Sequence, residues 1–155
     1  MAVQPDTAHE LVDELFLFGR ALRLAIVASH TDPLPQALVG VLVVLAARGE
    51  CRQNELATEL CITPSSLSRQ ISDLVDAGYI GRHADPCDGR ASLVHVTDAG
   101  KALLLRSKEV RSARLRETLA EWDETDAQSA LESVRKLKNT MFDHASRQHA
   151  MQVHA

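Results

Sequence analysis

Helical periodicity runs through almost the whole chain and fails in one place, between Tyr79 and Val96, so the fold must be helices arranged around one small hairpin. Near the start, Leu11, Leu15, Phe18, Leu22 and Ala25 recur at alternating steps of four and three, which puts one apolar stripe on a helix predicted over residues 9–29. Thr31-Asp32-Pro33-Leu34-Pro35 ends it, because two prolines flank a short turn. Gln36–Arg48 is apolar on nearly every side (Leu38, Val39, Val41, Leu42, Val43, Val44, Leu45), the pattern of a buried central helix, and Gly49 is placed to cap it. Residues 53–60 read as a short helix, followed by a tight Cys61-Ile62 connection. Thr63 is then a good N-cap, and Pro64 sits at a first helical position where its missing N–H costs nothing. That helix is predicted over 65–77, with Leu67, Ile71, Leu74 and Val75 on one face and Gly78 at its end.

The interruption itself reads as a β-hairpin, with strands at 79–84 and 91–96 and a polar turn, Asp85-Pro86-Cys87-Asp88-Gly89-Arg90, between them. Thr97 caps another long helix, predicted to about Leu119 with Leu104, Leu105, Leu115 and Leu119 apolar. Asp123 caps a last helix whose stripe is Leu131, Val134, Leu137 and Met141, with a frayed tail expected from His144. The expected fold is therefore mostly α with a small β-wing, in one domain over 1–155. Its helix-turn-helix and wing occupy 35–100, and the outer helices lie at 7–30 and 101–146. No run of apolar residues is long enough to span a bilayer, and the N-terminus lacks the basic start and apolar stretch of a signal peptide, so a cytoplasmic location is expected.

Two short helices joined by a tight turn present the second to a DNA major groove. Thr63, Pro64, Ser65 and Ser66 place small groups where backbone N–H donors can approach phosphate, and Ser68, Arg69 and Gln70 lie off the apolar face. Arginine suits guanine and glutamine suits adenine. In the turn of the hairpin, Asp88 and Arg90 are spaced to pair and stiffen a loop that offers Arg90 to the minor groove. Charge argues the other way. The chain carries a formal charge of −4, and residues 48–101 hold six Lys or Arg against eight Asp or Glu, so a DNA reading must rest on where the basic groups sit.

At these residues the sequence resembles the MarR family of bacterial transcription regulators. Gln53-Asn54-Glu55-Leu56-Ala57 resembles the segment leading into that family's helix-turn-helix. Ile62-Thr63-Pro64-Ser65-Ser66-Leu67-Ser68-Arg69-Gln70-Ile71 resembles its recognition helix. Leu74-Val75-Asp76-Ala77-Gly78-Tyr79-Ile80-Gly81-Arg82 and Asp85-Pro86 with Asp88-Gly89-Arg90 resemble its wing. Val94-His95-Val96-Thr97-Asp98-Ala99-Gly100 resembles the exit into the next helix. The resemblance implies a homodimer with interlocked terminal helices, acting as a repressor on a pseudo-palindromic operator with half-sites about 34–36 Å apart. It also implies release by a small aromatic ligand or an oxidant. Gly89 stands where the family often has a second basic residue, and Cys61 stands in the turn where a small or polar residue is usual.

Other function classes leave weaker traces. An enzyme is not expected, because no phosphate loop, ligand cluster or partnered nucleophile is present. A winged-helix module that binds protein rather than DNA would suit the acidic balance, and a cysteine-based redox regulator would use Cys61 or Cys87. The cysteine and histidine spacings predict no metal site: His83 and Cys87 are four apart with no third ligand in view. A ligand pocket, if the resemblance holds, would be approached by Phe16, His30 and Leu38. No cofactor is implied.

Overall fold

The computed structural model describes residues 3–27 and 34–153. Helix α1, Pro5–Leu22, starts earlier than the stripe predicted, because Pro5 at the first position and Asp6 in the first turn both favour a helix N-terminus. It continues into one π-helical turn, Arg23–Val27; the rest of the predicted helix and the proline break fall largely outside the described residues. Then come α2 (Gln36–Arg48), β1 (Cys51–Arg52), α3 (Gln53–Glu59), α4 (Pro64–Asp76), β2 (Ile80–Asp85), β3 (Asp88–Val96), α5 (Asp98–Thr118) and α6 (Glu124–Val153). Helix α6 runs on past His144, where the sequence suggested fraying. No helix among the described residues is long and apolar enough to cross a membrane.

The chain forms two compact units, Met1–Arg116 and Glu117–Ala155. In the first, a single core joins Leu38, Leu42 and Leu45 of α2, Leu56 of α3, and Leu67, Ile71 and Leu74 of α4 to Ile80, Val94 and Leu103. Leu103 is the α5 residue buried in it, with Leu104 packed against its edge, whereas Leu105 is exposed. The sheet has strand order β1-β3-β2, all antiparallel. Strand β1 was not foreseen; its two residues pair Cys51 with Val94 and Arg52 with Leu93.

Local signals in the sequence set the helix ends. Ser66 N–H donates to Thr63 Oγ1 at 3.2 Å, Gly100 N–H to Thr97 Oγ1 at 3.1 Å, and Asp126 N–H to Asp123 Oδ1 at 2.8 Å. Gly78 closes α4 with a φ of +79°, a conformation other residues adopt only with strain. Replacing the first cap, Thr63→Ala, is expected to lower unfolding free energy by about 1 kcal/mol, read as a shifted urea midpoint at constant slope; an unmoved midpoint would show the cap to be idle.

In the second unit, α6 keeps Leu131, Val134, Met141 and Phe142 exposed. Helix α1, in the first unit, has no buried residue at all, with Leu11, Phe18 and Leu22 exposed and Leu15 half-buried. Each helix, taken within its own unit, thus carries the apolar stripe the sequence showed.

Candidate nucleic-acid interface

Helix α4 divides its residues cleanly. Leu67, Ile71 and Leu74 have no solvent exposure, and they hold the helix against α2 and the sheet. Thr63, Pro64, Ser65 and Arg69 are exposed, and Ser66, Ser68 and Gln70 are half-buried. The polar residues named from the sequence therefore lie on the outward side of the first two turns. Ser65 Oγ lies 3.2 Å from Thr63 Oγ1, which ties the two hydroxyls at the helix start. The turn before α4 is tight: Cys61 takes a left-handed φ of +53°, and Ile62 N–H donates to the Ala57 carbonyl. A left-handed position favours glycine or asparagine, which is why a cysteine there looked out of place.

The hairpin is tighter than predicted. Strand β2 reaches Asp85 and β3 begins at Asp88, so Pro86 and Cys87 alone form the turn, with a register shift at Ala84/Asp85. The reason is Asp85: its Oδ1 accepts the Cys87 N–H at 2.8 Å, a side-chain substitute for a backbone turn. Its Oδ2 accepts from Arg52 Nε at 2.8 Å and lies 2.6 Å from Nη2. The Cys87 N–H and then the Arg52 guanidinium hold the Asp85 carboxyl below the usual carboxylate range, and the same pairing raises Arg52. The predicted pairing of Asp88 with the Arg90 side chain is replaced by another. Asp88 Oδ1 accepts the Arg90 backbone N–H at 3.2 Å, and Oδ2 faces Arg52 at 3.8 Å. Arg52 is thus the latch of the wing. Sequence reasoning missed it because its partner lies 33 residues away; the Asp85-Pro86 pair was the one local sign.

The acidic balance now resolves by position. Arg48 is paired with Glu55 (2.9 Å) and Glu59 (2.6 Å), Arg52 with Asp85 and Asp88, and Lys101 with Asp98 (3.3 Å). Glu59 and then Glu55 raise the Arg48 guanidinium further. Within residues 48–101 this leaves Arg69, Arg82 and Arg90 as guanidinium groups without an ion pair. The remaining acids, Asp73 and Asp76, sit at the far end of α4 from its N-terminus. At the root of the wing, His83 Nε2 is 2.6 Å from Glu50 Oε2. That carboxylate, and then the Ala84 carbonyl, keep the imidazole protonated to higher pH than usual.

Of the cysteines, Cys61 and Cys87 are exposed, whereas Cys51 is buried and its thiol is pushed up by that burial. Of the residues expected to approach a ligand pocket, Phe16 is 78% exposed, Leu38 belongs to the core, and His30 is outside the described residues. An open apolar cleft of about 530 Å³ instead lies between the α1 end, α2 and α5, lined by Leu22, Ile26, Val43, Ala46, Leu104 and Leu115 with Lys108 beside them. Val43 explains why α2 is apolar all round: one side faces the core and the other this cleft.

The model of the MarR family matches residues 34–91. An uncharacterized HTH-type transcriptional regulator, YxaD of Bacillus subtilis, is 32% identical over 91% of this chain and the whole of its own length. Among solved structures, MarR is similar with a TM-score of 0.71 at 18% identity, over 95% of this chain and 99% of that one. A mutant of MarR from E. coli complexed with operator DNA has a TM-score of 0.64 at 18% identity, over 88% of this chain and 99% of that one.

Proposed function

The chain belongs to the MarR family of transcription regulators, and from that premise we propose that it binds operator DNA as a homodimer, acting as a repressor released by a small ligand. The carrying observation is the division of α4, with Leu67, Ile71 and Leu74 fully buried and Ser65 and Arg69 turned outward. Such a helix can enter a major groove without disturbing the core that holds it. The Arg52–Asp85 latch stiffens the wing that offers Arg90. The bound operator in the E. coli MarR mutant's structure supports the same reading here.

The uncovered stripes on α1 and α6 support the dimer. Exposed apolar stripes of that length call for a partner, and a second copy supplies both at once. The apolar cleft beside Lys108 suits a small aromatic acid, the ring against Leu104 and Val43 and the carboxylate toward the ammonium. The cleft, rather than the exposed thiols of Cys61 and Cys87, is offered as the signal site.

A gel shift with the gene's own upstream DNA tests the reading. Affinity is expected to fall steeply with salt, and Arg90→Ala to reduce the slope of log K against log salt by about one. Aromatic acids should release the complex. No retardation at low salt would sink the DNA reading and leave the protein-binding module in its place.

A further inference from the structure

We propose that Glu50, His83 and His95 form a binding site for a divalent transition ion of the zinc type at the root of the wing. The sheet register brings them together. Gly81 pairs with His95 and His83 with Leu93, so the two histidines share one face of the β2–β3 ladder on a diagonal. On the other side of β3, Cys51 pairs with Val94, which delivers the preceding Glu50 beside His95. The three donor atoms lie within 4.8 Å of one another. The ring centroids are 5.6 Å apart and tilted by 46°.

Two features point to a cation at this spot. First, His83 Nδ1 is 3.1 Å from the Ala84 carbonyl oxygen, a contact that requires a proton on Nδ1. With that proton on Nδ1, it is Nε2 that faces the Glu50 carboxylate, at 2.6 Å. Two lone pairs at that distance repel unless a positive centre, a proton or a metal ion, lies between them. Imidazoles that ligate metals are oriented by the same second bond to a backbone carbonyl. Second, His95 Nδ1 is closed off from solvent with no hydrogen-bond partner and faces the same carboxylate oxygen at 3.7 Å. A buried polar atom without a partner is uncommon and asks for an explanation. The bare Gly81 backbone makes room for the His95 ring, since any Cβ there would collide with Cε1 and Nε2.

Two imidazoles and one carboxylate suit zinc and its neighbours better than magnesium or calcium, which prefer all-oxygen sets. At Zn–N and Zn–O distances of about 2.0–2.2 Å, tetrahedral donors stand roughly 3.3 Å apart. The short His83–Glu50 contact would open and the wider spacing close, movements that half-exposed side chains can make. Three protein ligands leave a fourth position for water. Occupancy would clamp all three strands, and on the DNA reading of the previous section it would tighten operator binding; the site itself does not rest on that reading.

Titration of the full chain with Zn²⁺ by calorimetry, and with Co²⁺ by its visible absorption, tests the site. One ion per chain and a tetrahedral Co²⁺ spectrum are expected. His83→Ala and His95→Ala should each lose more than the about 10–100-fold typical of outer-shell changes, with circular dichroism unchanged. Gly81→Ala removes no ligand yet should weaken binding by displacing the His95 ring. Both alanine variants retain His9, His144, His149 and His154, so binding undiminished in them would overturn the proposal, as would no stoichiometric binding by the parent chain. Zinc binding without any effect on DNA affinity would overturn the coupling alone. Zinc binding by a chain that retards no DNA would count against the DNA reading and leave the site standing.

Discussion

Phe18→Asp is expected to turn the proposed homodimer into monomers and, with it, to abolish stable operator binding. Phe18 is 51% exposed on the α1 stripe, between the half-buried Leu15 and the exposed Leu22. Its substitution therefore removes little from the core of a single chain. In a symmetric pair the change occurs twice. Full burial of a phenylalanine contributes about 1.5–3 kcal/mol, so two lost contacts amount to roughly 3–6 kcal/mol, or about 10²–10⁴ in the dimer dissociation constant. Two carboxylates forced into an apolar interface add to that loss. Operator affinity falls too, because two half-sites engaged by one particle become two separate binding events. Sedimentation velocity reads the first effect and gel retardation the second, with circular dichroism as the control on folding. A variant that keeps the dimer's mass would remove α1 from the interface, and α6, with Val134 and Phe142, would have to carry the association alone.

The parts of the fold that the sequence disclosed are those decided within a few residues. Thr63, Thr97 and Asp123 sit at helix starts because a side-chain oxygen three residues upstream of an N–H is a local fact. The buried face of α4 follows from 3.6-residue spacing alone, and the burial of α2 from its being apolar on nearly every side. What the sequence hid depends on pairing across distance. Strand β1 has two residues, too few for any period, and exists because Val94 and Leu93 lie opposite. Arg52 finds Asp85, and Glu50 finds His83, each across 33 residues. The hairpin turn was drawn too wide because six polar residues look alike in sequence, whereas one carboxylate, Asp85, decides where the strands meet. The outward polar side of α4 was legible and the Arg52–Asp85 latch of the wing was not. The reason is the same in both cases: helix faces are periodic, and ion pairs between strands are not.

Two adjacent substitutions on α4 should separate the structural face from the reading face. Leu67 is fully buried in the core beneath the helix, so Leu67→Ala should cost about 2–5 kcal/mol through lost burial and a residual cavity. Against the 5–15 kcal/mol that holds a typical domain together, that is enough to bring the chain near its unfolding threshold. Arg69, two residues on, is exposed and has no ion pair among the described residues. Arg69→Ala should leave stability within about 0.5 kcal/mol. It should instead cost about 1–3 kcal/mol of operator binding, roughly 5- to 150-fold, and blur preference at the base pair the guanidinium contacts. Urea denaturation and footprinting of the two variants side by side give the result. If Arg69→Ala destabilised the chain as Leu67→Ala does, the side chain would be holding the fold rather than facing a groove. If its footprint matched the parent's, Arg69 would not read a base, and sequence choice would pass to Gln70 and the serines around it. The larger stability loss at Leu67 and the larger affinity loss at Arg69 are expected together, since about half a helix turn separates the side that is anchored from the side that faces outward.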